Sequence, residues 1–131
     1  MYHFAAPSLS GKLQSMSDVL TLNVVDFSAT PFGRYREDGP ESGQVYREDV
    51  LVPALADHGK VIVNVDGVAG LPSSFWEEAL GGLVREGISL EDIEAKLELV
   101  TTESPLEVFI RLGWRYIHEE AAKSDTRRGR G

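Results

Sequence analysis

A chain of 131 residues, 42% hydrophobic and 26% charged, is sized for one domain and buries about two thirds of the surface its unfolded form exposes. Thirteen basic against twenty-one acidic residues give a net charge of −8, which argues against a nucleic-acid groove or an anionic membrane surface as partner. The absence of cysteine excludes disulfides, thiolate metal sites and a cysteine nucleophile, and no redox chemistry is expected.

Residues 1–17 mix Ser, Gly and small residues without a clear period and are read as an extension or weak edge strand. They contain no charged region followed by an apolar run, and nowhere do 18 apolar residues run together, so a cytoplasmic chain with no membrane span is expected. From Val19 to Phe27, Leu20, Leu22 and Val24 alternate with Thr21 and Asn23, the period of a half-buried strand. A polar loop from Ser28 to Ser42 follows, punctuated by Pro31, Gly33, Gly39 and Pro40. Ser42 caps a helix in which Val45, Tyr46, Val50 and Leu51 recur toward Leu55, with Pro53 expected to kink or end it.

Residues 60–66 are apolar on both faces, Val61, Val63 and Val65 on one and Ile62 on the other, as in a central strand covered by helices. Asp66 ends that strand, and a turn through Pro72, Ser73 and Ser74 leads into a helix running to about Glu86, with Ser74 as its cap. Gly81-Gly82 in that helix costs about 1 kcal/mol per glycine relative to alanine, for which close approach of the helix backbone to the sheet is the expected compensation. Ser89 caps a short helix from Leu90 to about Lys96, with Asp92 in a box-like position, and a strand from Leu97 to Thr102 comes next. The last helix starts near Ser104-Pro105 and buries Leu106, Phe109, Ile110, Gly113 and Ile117. Lys123, Arg127, Arg128 and Arg130 against Asp125 give residues 123–131 a charge of +3, leaving the rest at −11, and that segment is read as a disordered basic tail. Strands alternating with helices make an α/β (α+β) layer.

The chemistry-bearing residues cluster at the Asp66 to Ser74 junction. The sequence Leu71-Pro72-Ser73-Ser74-Phe75 lacks the Gly-x-Ser-x-Gly pattern of a hydrolase elbow, and His3, His58 and His118 are read as surface or boundary residues. No metal spacing, P-loop or dinucleotide fingerprint occurs, so no metal, no cofactor and no catalytic residue is expected. What remains is a hydroxyl pair at a helix N-terminus, where free N–H groups and the helix dipole favour an anion. A phosphate on Ser73 or Ser74 would add about −1.5 to −2 charges there; the alternative is that Ser74 only caps its helix and Ser73 closes the turn. Arg34 or Arg47 is expected to face this turn, paired with Asp66 or with a bound anion, the alternative being arginines that are solvated or only tie down the long loop. Phe75 and Trp76 are candidate interface residues, Trp76 with core packing as its alternative role.

Gly33-Arg34 through Gly39, Ser42-Gly43, Arg47, Pro53, Asp66-Gly67-Val68, Ser73-Ser74-Phe75 and Glu78-Ala79-Leu80-Gly81-Gly82-Leu83, spanning about residues 33 to 87, resemble a bacterial STAS-like domain family of unknown function related to the anti-sigma-factor antagonists. The resemblance implies a STAS-like domain over residues 18–122, with a mixed four- to five-stranded sheet and helices packed mainly on one face. It implies a non-enzymatic regulatory or protein-interaction role, a phosphorylatable serine at Ser73 or Ser74, and a histidine-kinase-like ATPase or anti-sigma-type partner. Pro72 and Phe75 stand where antagonists carry an acidic residue and a glycine around that serine. The competing expectation is an anion- or nucleotide-sensing domain that uses the arginine-rich loop and the helix N-terminus. Nothing in the sequence fixes the oligomeric state.

Overall fold

The computed structural model describes residues 18–130, with side chains as far as Thr126. The expected N-terminal extension or edge strand over residues 1–17 lies outside the described residues. Strand β1 (Val19–Asn23) passes directly into a helical turn, α1 (Val24–Phe27). The strand expected to reach Phe27 therefore stops four residues early: Val24 is fully buried, and the Ser28 N–H donates to its carbonyl at 2.9 Å. Tertiary burial outweighs the β-propensity of Val24-Val25. After a loop containing a 3-10 turn (Arg36–Asp38), α2 (Gly43–Val45), a π-helical stretch (Tyr46–Leu51) and α3 (Val52–Asp57) form one continuous helix. Then come β2 (Lys60–Asn64), α4 (Ser73–Arg85), α5 (Leu90–Lys96), β3 (Leu97–Val100), a 3-10 turn (Ser104–Leu106) and α6 (Glu107–Arg130).

Pro53 neither ends nor breaks its helix. Proline removes the N–H that would bond four residues back and crowds that carbonyl. The chain instead widens by one residue, the Val52 N–H reaching Arg47 O five residues back. Ser42 caps the start, its Oγ accepting from the Val45 N–H at 3.2 Å, and Ser89 caps α5 by accepting from Asp92 N–H at 3.1 Å.

Among the described residues the sheet has three strands, ordered β1-β2-β3 and parallel throughout, rather than the mixed four or five expected. Every strand-to-strand connection here is a helical crossover, which is what parallel neighbours require. The register aligns Leu20 with Val61 and Leu97, and Leu22 with Val63 and Leu99, to make one apolar face. Among the described residues the opposite face, with Val19, Thr21 and Glu98 exposed and Ile62 half-buried, has no covering element, and β2 has helices on one side only. Crossovers between parallel strands are right-handed almost without exception, and two that advance in one direction place their helices on the same face. The core between them holds Tyr46, Leu51, Phe75, Trp76, Leu80, Leu83 and Ile117. Residues 123–130, expected as a disordered tail, continue α6 to Arg130.

Candidate functional site

Helix α4 opens at Ser73 with Pro72 in the cap position and no side-chain cap. Ser74 therefore does not cap the helix as expected, but lies inside its first turn. The first intrahelical bond runs from Trp76 N–H to Pro72 O at 3.0 Å, which leaves the N–H groups of Ser73, Ser74 and Phe75 without an intrahelical acceptor. Ser73 is exposed and Ser74 half-buried, and among the described residues neither hydroxyl has a hydrogen-bond partner. Phe75 and Trp76, the candidate interface residues, are both 0% exposed and belong to the core. Trp76 Nε1 donates to Phe109 O of α6 at 2.7 Å, and the ring stacks on Phe75 with centroids 6.3 Å apart. The helix turns these two side chains inward and leaves Ser73 on the outer side.

Beyond the serines, α4 carries an ion-pair network built on Glu77 and Glu78. Arg34, from the long loop, donates through Nη1 to Glu77 Oε1 at 2.5 Å and to Glu78 Oε1 at 3.2 Å. Arg47, in the π-helical stretch, donates through Nη1 to Glu78 O at 2.7 Å and Glu78 Oε2 at 2.8 Å, and through Nε to Glu86 Oε2 at 2.7 Å. Arg85 reaches back one face of the helix to Glu77 at 3.0 and 3.2 Å and to Glu78 at 3.2 Å, and across to Glu120 of α6 at 2.8 Å. Arg47 and Glu78 are each only 6% exposed. Burial works against both the Arg47 charge and the Glu77 carboxylate. The carboxylates around Arg47 nevertheless hold its pKa up, and hydrogen bonds from Arg85 and Arg34 hold the Glu77 carboxyl below its usual range.

Gly81-Gly82 serves this network, not contact with the sheet. A Cβ on Gly82 would collide with Arg47 Nη1, and one on Gly81 would lie 2.6 Å from Glu77 Oε2, between that carboxylate and Arg85. Gly43 plays the matching part on the facing helix, where a Cβ would strike Phe75 O and come within 2.9 Å of Glu78 Cβ. The glycines bring α2 and α4 together and make the slot that the Arg47 guanidinium fills.

Asp66 takes no part in this. Its Oδ1 accepts from Thr101 Oγ1 at 2.5 Å and Thr102 N–H at 2.9 Å, and its Oδ2 from Thr102 Oγ1 at 2.7 Å. The Thr101 hydroxyl, with Thr102, holds the Asp66 carboxyl below the usual carboxylate range. The expected pairing of Asp66 with Arg34 or Arg47 is thus corrected. In a parallel sheet the residue just past β2 lies beside the residues just past β3, and those threonines are its nearest donors. The two arginines also separate, Arg47 committed to Glu78 and Glu86, Arg34 to Glu77 and Glu78. Glu77, Glu78, Arg85, Glu86 and Glu120 were not singled out from the sequence. The available signal was the glycine pair, since vacant Cβ positions in a helix mark where long side chains must lie.

Among the described residues, no group of three or more His, Asp or Glu side chains is placed to hold a metal ion. His58 Nδ1 lies 3.0 Å from Ala54 O and His118 Nε2 lies 2.8 Å from Glu94. No helix among the described residues is long and apolar enough to cross a membrane.

The model of the STAS-like domain of unknown function (DUF4325) matches residues 42–107, half of the chain, and the chain belongs to that family. The matched span runs from the Ser42 cap through the arginine slot and the serine turn to the start of α6. No curated protein and no solved structure matches the chain.

Proposed function

We propose that this STAS-like chain is a non-enzymatic cytoplasmic regulatory domain that docks a protein partner through the outer face at the start of α4, with Ser73 or Ser74 as a phosphorylatable switch. The observation that carries the reading is the uncapped N-terminus of α4, a 13-residue helix whose first N–H groups and exposed Ser73 hydroxyl are uncommitted among the described residues. A phosphate there meets the positive end of the helix dipole and unpaired backbone donors, so it is accommodated without unfolding the core. Ser73, being exposed, is the more accessible of the two. The partner class, a histidine-kinase-like ATPase or anti-sigma-type protein, comes from analogy with the antagonists and from no residue of this chain.

The test is incubation with such an ATPase from the same genome and ATP, followed by intact and site-mapped mass spectrometry. The kinase transfers the γ-phosphoryl group to serine Oγ, releasing ADP and taking the hydroxyl proton on its own base. Phosphate mapping to Ser73 or Ser74, abolished in Ser73→Ala/Ser74→Ala, is the expected result. Unmodified protein, or phosphate elsewhere, overturns the switch. Unmodified protein whose melting temperature rises with nucleotide alone favours the second reading, anion or nucleotide sensing, which uses the same free N–H groups and Arg34.

A further inference from the structure

The helix that starts at Gly43 buries two large residues five positions apart, Tyr46 at 1% and Leu51 at 0% exposed, with Arg47 at 6% beside them. On an α-helix, with 3.6 residues per turn, positions five apart diverge by about 140°. The π-type turn removes that conflict, because its bonds join residues five apart and bring Tyr46 and Leu51 toward one side. The widened turn, closed by the Val52 N–H on Arg47 O, encloses Asp49, whose carbonyl is the one that the Pro53 ring would crowd in an α-helix. Pro53 itself is exposed, so a residue that is costly inside a helix is kept where it fills no core space. Its effect is on the backbone, and the residue that accepts the widened bond is the arginine that fills the Gly82 slot.

We propose that Pro53 is a positioning residue for Arg47: by excluding the α-helical bond to Asp49 it holds the π-type turn, and that turn aims the guanidinium at Glu78. Downstream of the turn the helix is fixed by Ala54 and Leu55, both buried, and by Lys96 Nζ, which donates to Leu55 O at 2.5 Å. With α-type bonds the turn would hold one residue fewer, and the part upstream of it would be rotated by about 100° against this anchored part. Arg47 donates to Glu78 O at 2.7 Å, Glu78 Oε2 at 2.8 Å and Glu86 Oε2 at 2.7 Å, an arrangement that a rotation of that size abolishes. The outer side of the same turn carries Glu48 and Asp49, each 2.9 Å from Arg36 Nη2, so the turn parts one inward arginine from two outward carboxylates that follow it directly. The buried strut between the two helices is thus set by an exposed residue six positions along the chain.

The experiment is NMR on the full chain, reading the scalar coupling that passes through a hydrogen bond from an amide nitrogen to its acceptor carbonyl carbon. In the unsubstituted chain the Val52 amide couples to the carbonyl of Arg47. In Pro53→Ala, which removes no core packing and supplies a better helix former, that coupling moves to the carbonyl of Glu48, and the Arg47 Nε–H resonance loses the shift and slow solvent exchange given by its bond to Glu86. Arg47→Met empties the slot of charge and keeps the proline, so the coupling from Val52 to the carbonyl of position 47 is retained. A Pro53→Ala chain that keeps the five-residue coupling, or keeps the Arg47 Nε–H resonance in place, overturns the proposal. Loss of the five-residue coupling in a folded Arg47→Met chain also overturns it, because the slot and not the proline would then hold the turn. Where Arg47→Met does not fold, the two readouts of Pro53→Ala decide the question alone.

Discussion

Replacing Gly82 by alanine tests the buried arginine slot with a sign opposite to the usual one. In the interior of a helix the change from glycine to alanine gains about 1 kcal/mol. Here the added methyl would occupy the position of Arg47 Nη1 and lie 2.9 Å from its Cδ and Cζ, so the guanidinium must leave. It then loses the Glu78 carbonyl and carboxylate and Glu86, and Glu78, 6% exposed, loses its best cation. Breaking a buried pair on one side costs about 3–5 kcal/mol. The lower end applies, because Glu78 keeps Arg34 and Arg85 at 3.2 Å. The net expectation is a destabilisation of about 2 kcal/mol, or a melting temperature about 8 °C lower for a domain of this size.

Gly81→Ala is the control. Its methyl meets only the end of the Glu77 side chain at 2.6 Å, which can swing toward solvent. Loss of a partly exposed ion pair, up to about 1 kcal/mol, roughly offsets the gain in helix propensity. Urea unfolding and thermal denaturation of the two variants side by side give the answer. If Gly82→Ala is as stable as the unsubstituted chain, or behaves like Gly81→Ala, the glycine does not exist to house Arg47 and the reasoning fails.

Tyr46 carries a buried hydroxyl with no partner among the described residues, and its burial pushes the phenol pKa above the ordinary range. Tyr46→Phe removes an unsatisfied donor while keeping the ring packed 4.9 Å from Phe27 and 5.9 Å from Phe75, so it should stabilise the chain by about 1 kcal/mol; a clear loss in thermal denaturation would show that the hydroxyl bonds to something outside the described residues. The Glu77 carboxyl is held below its ordinary value of 4.5 in the folded state. A depressed carboxylate contributes stability that is present above the unfolded value and is lost as pH falls through the folded one. The stability difference between the unsubstituted chain and Glu77→Gln, read from urea midpoints at pH 7 and below pH 4, should therefore shrink on the acid side, and a gap independent of pH would contradict the pairing.

The elements whose signals are local could be read directly. Ser89 with Asp92, and Ser42 ahead of Val45, are caps made within three residues, and both helices start where those residues place them. The valine run gave β2 and the Phe75 to Leu83 periodicity gave α4, since both patterns reflect one buried face. The sequence pattern is silent where the deciding partner is remote along the chain. Arg47 meets Glu78 across 31 positions and Arg34 meets Glu77 across 43, so neither pair leaves a spacing signature. Gly81-Gly82 was visible as an anomaly, but what fills the two vacancies comes from another element. Pro53 was expected to interrupt its helix because the local rule assumes bonds four residues back, and a π-type turn evades that rule. Asp66 was placed near the functional turn by chain proximity, whereas the parallel sheet delivers it to Thr101 and Thr102.

One carboxylate pair is held by two arginines of different kinds. Arg47 and Arg34 both bind Glu78, but in different surroundings. The Arg47 side chain is 8% exposed, locked between α2 and α4, and uses both Nε and Nη1. Removing it leaves a buried charge uncompensated, so it works as a fixed strut. The Arg34 side chain is 34% exposed, uses one nitrogen, and shares Glu77 with an arginine that already holds both carboxylate oxygens. Its contact lies in the range of partly exposed ion pairs, worth at most about 1 kcal/mol. The fold therefore depends on the buried arginine far more than on the exposed one.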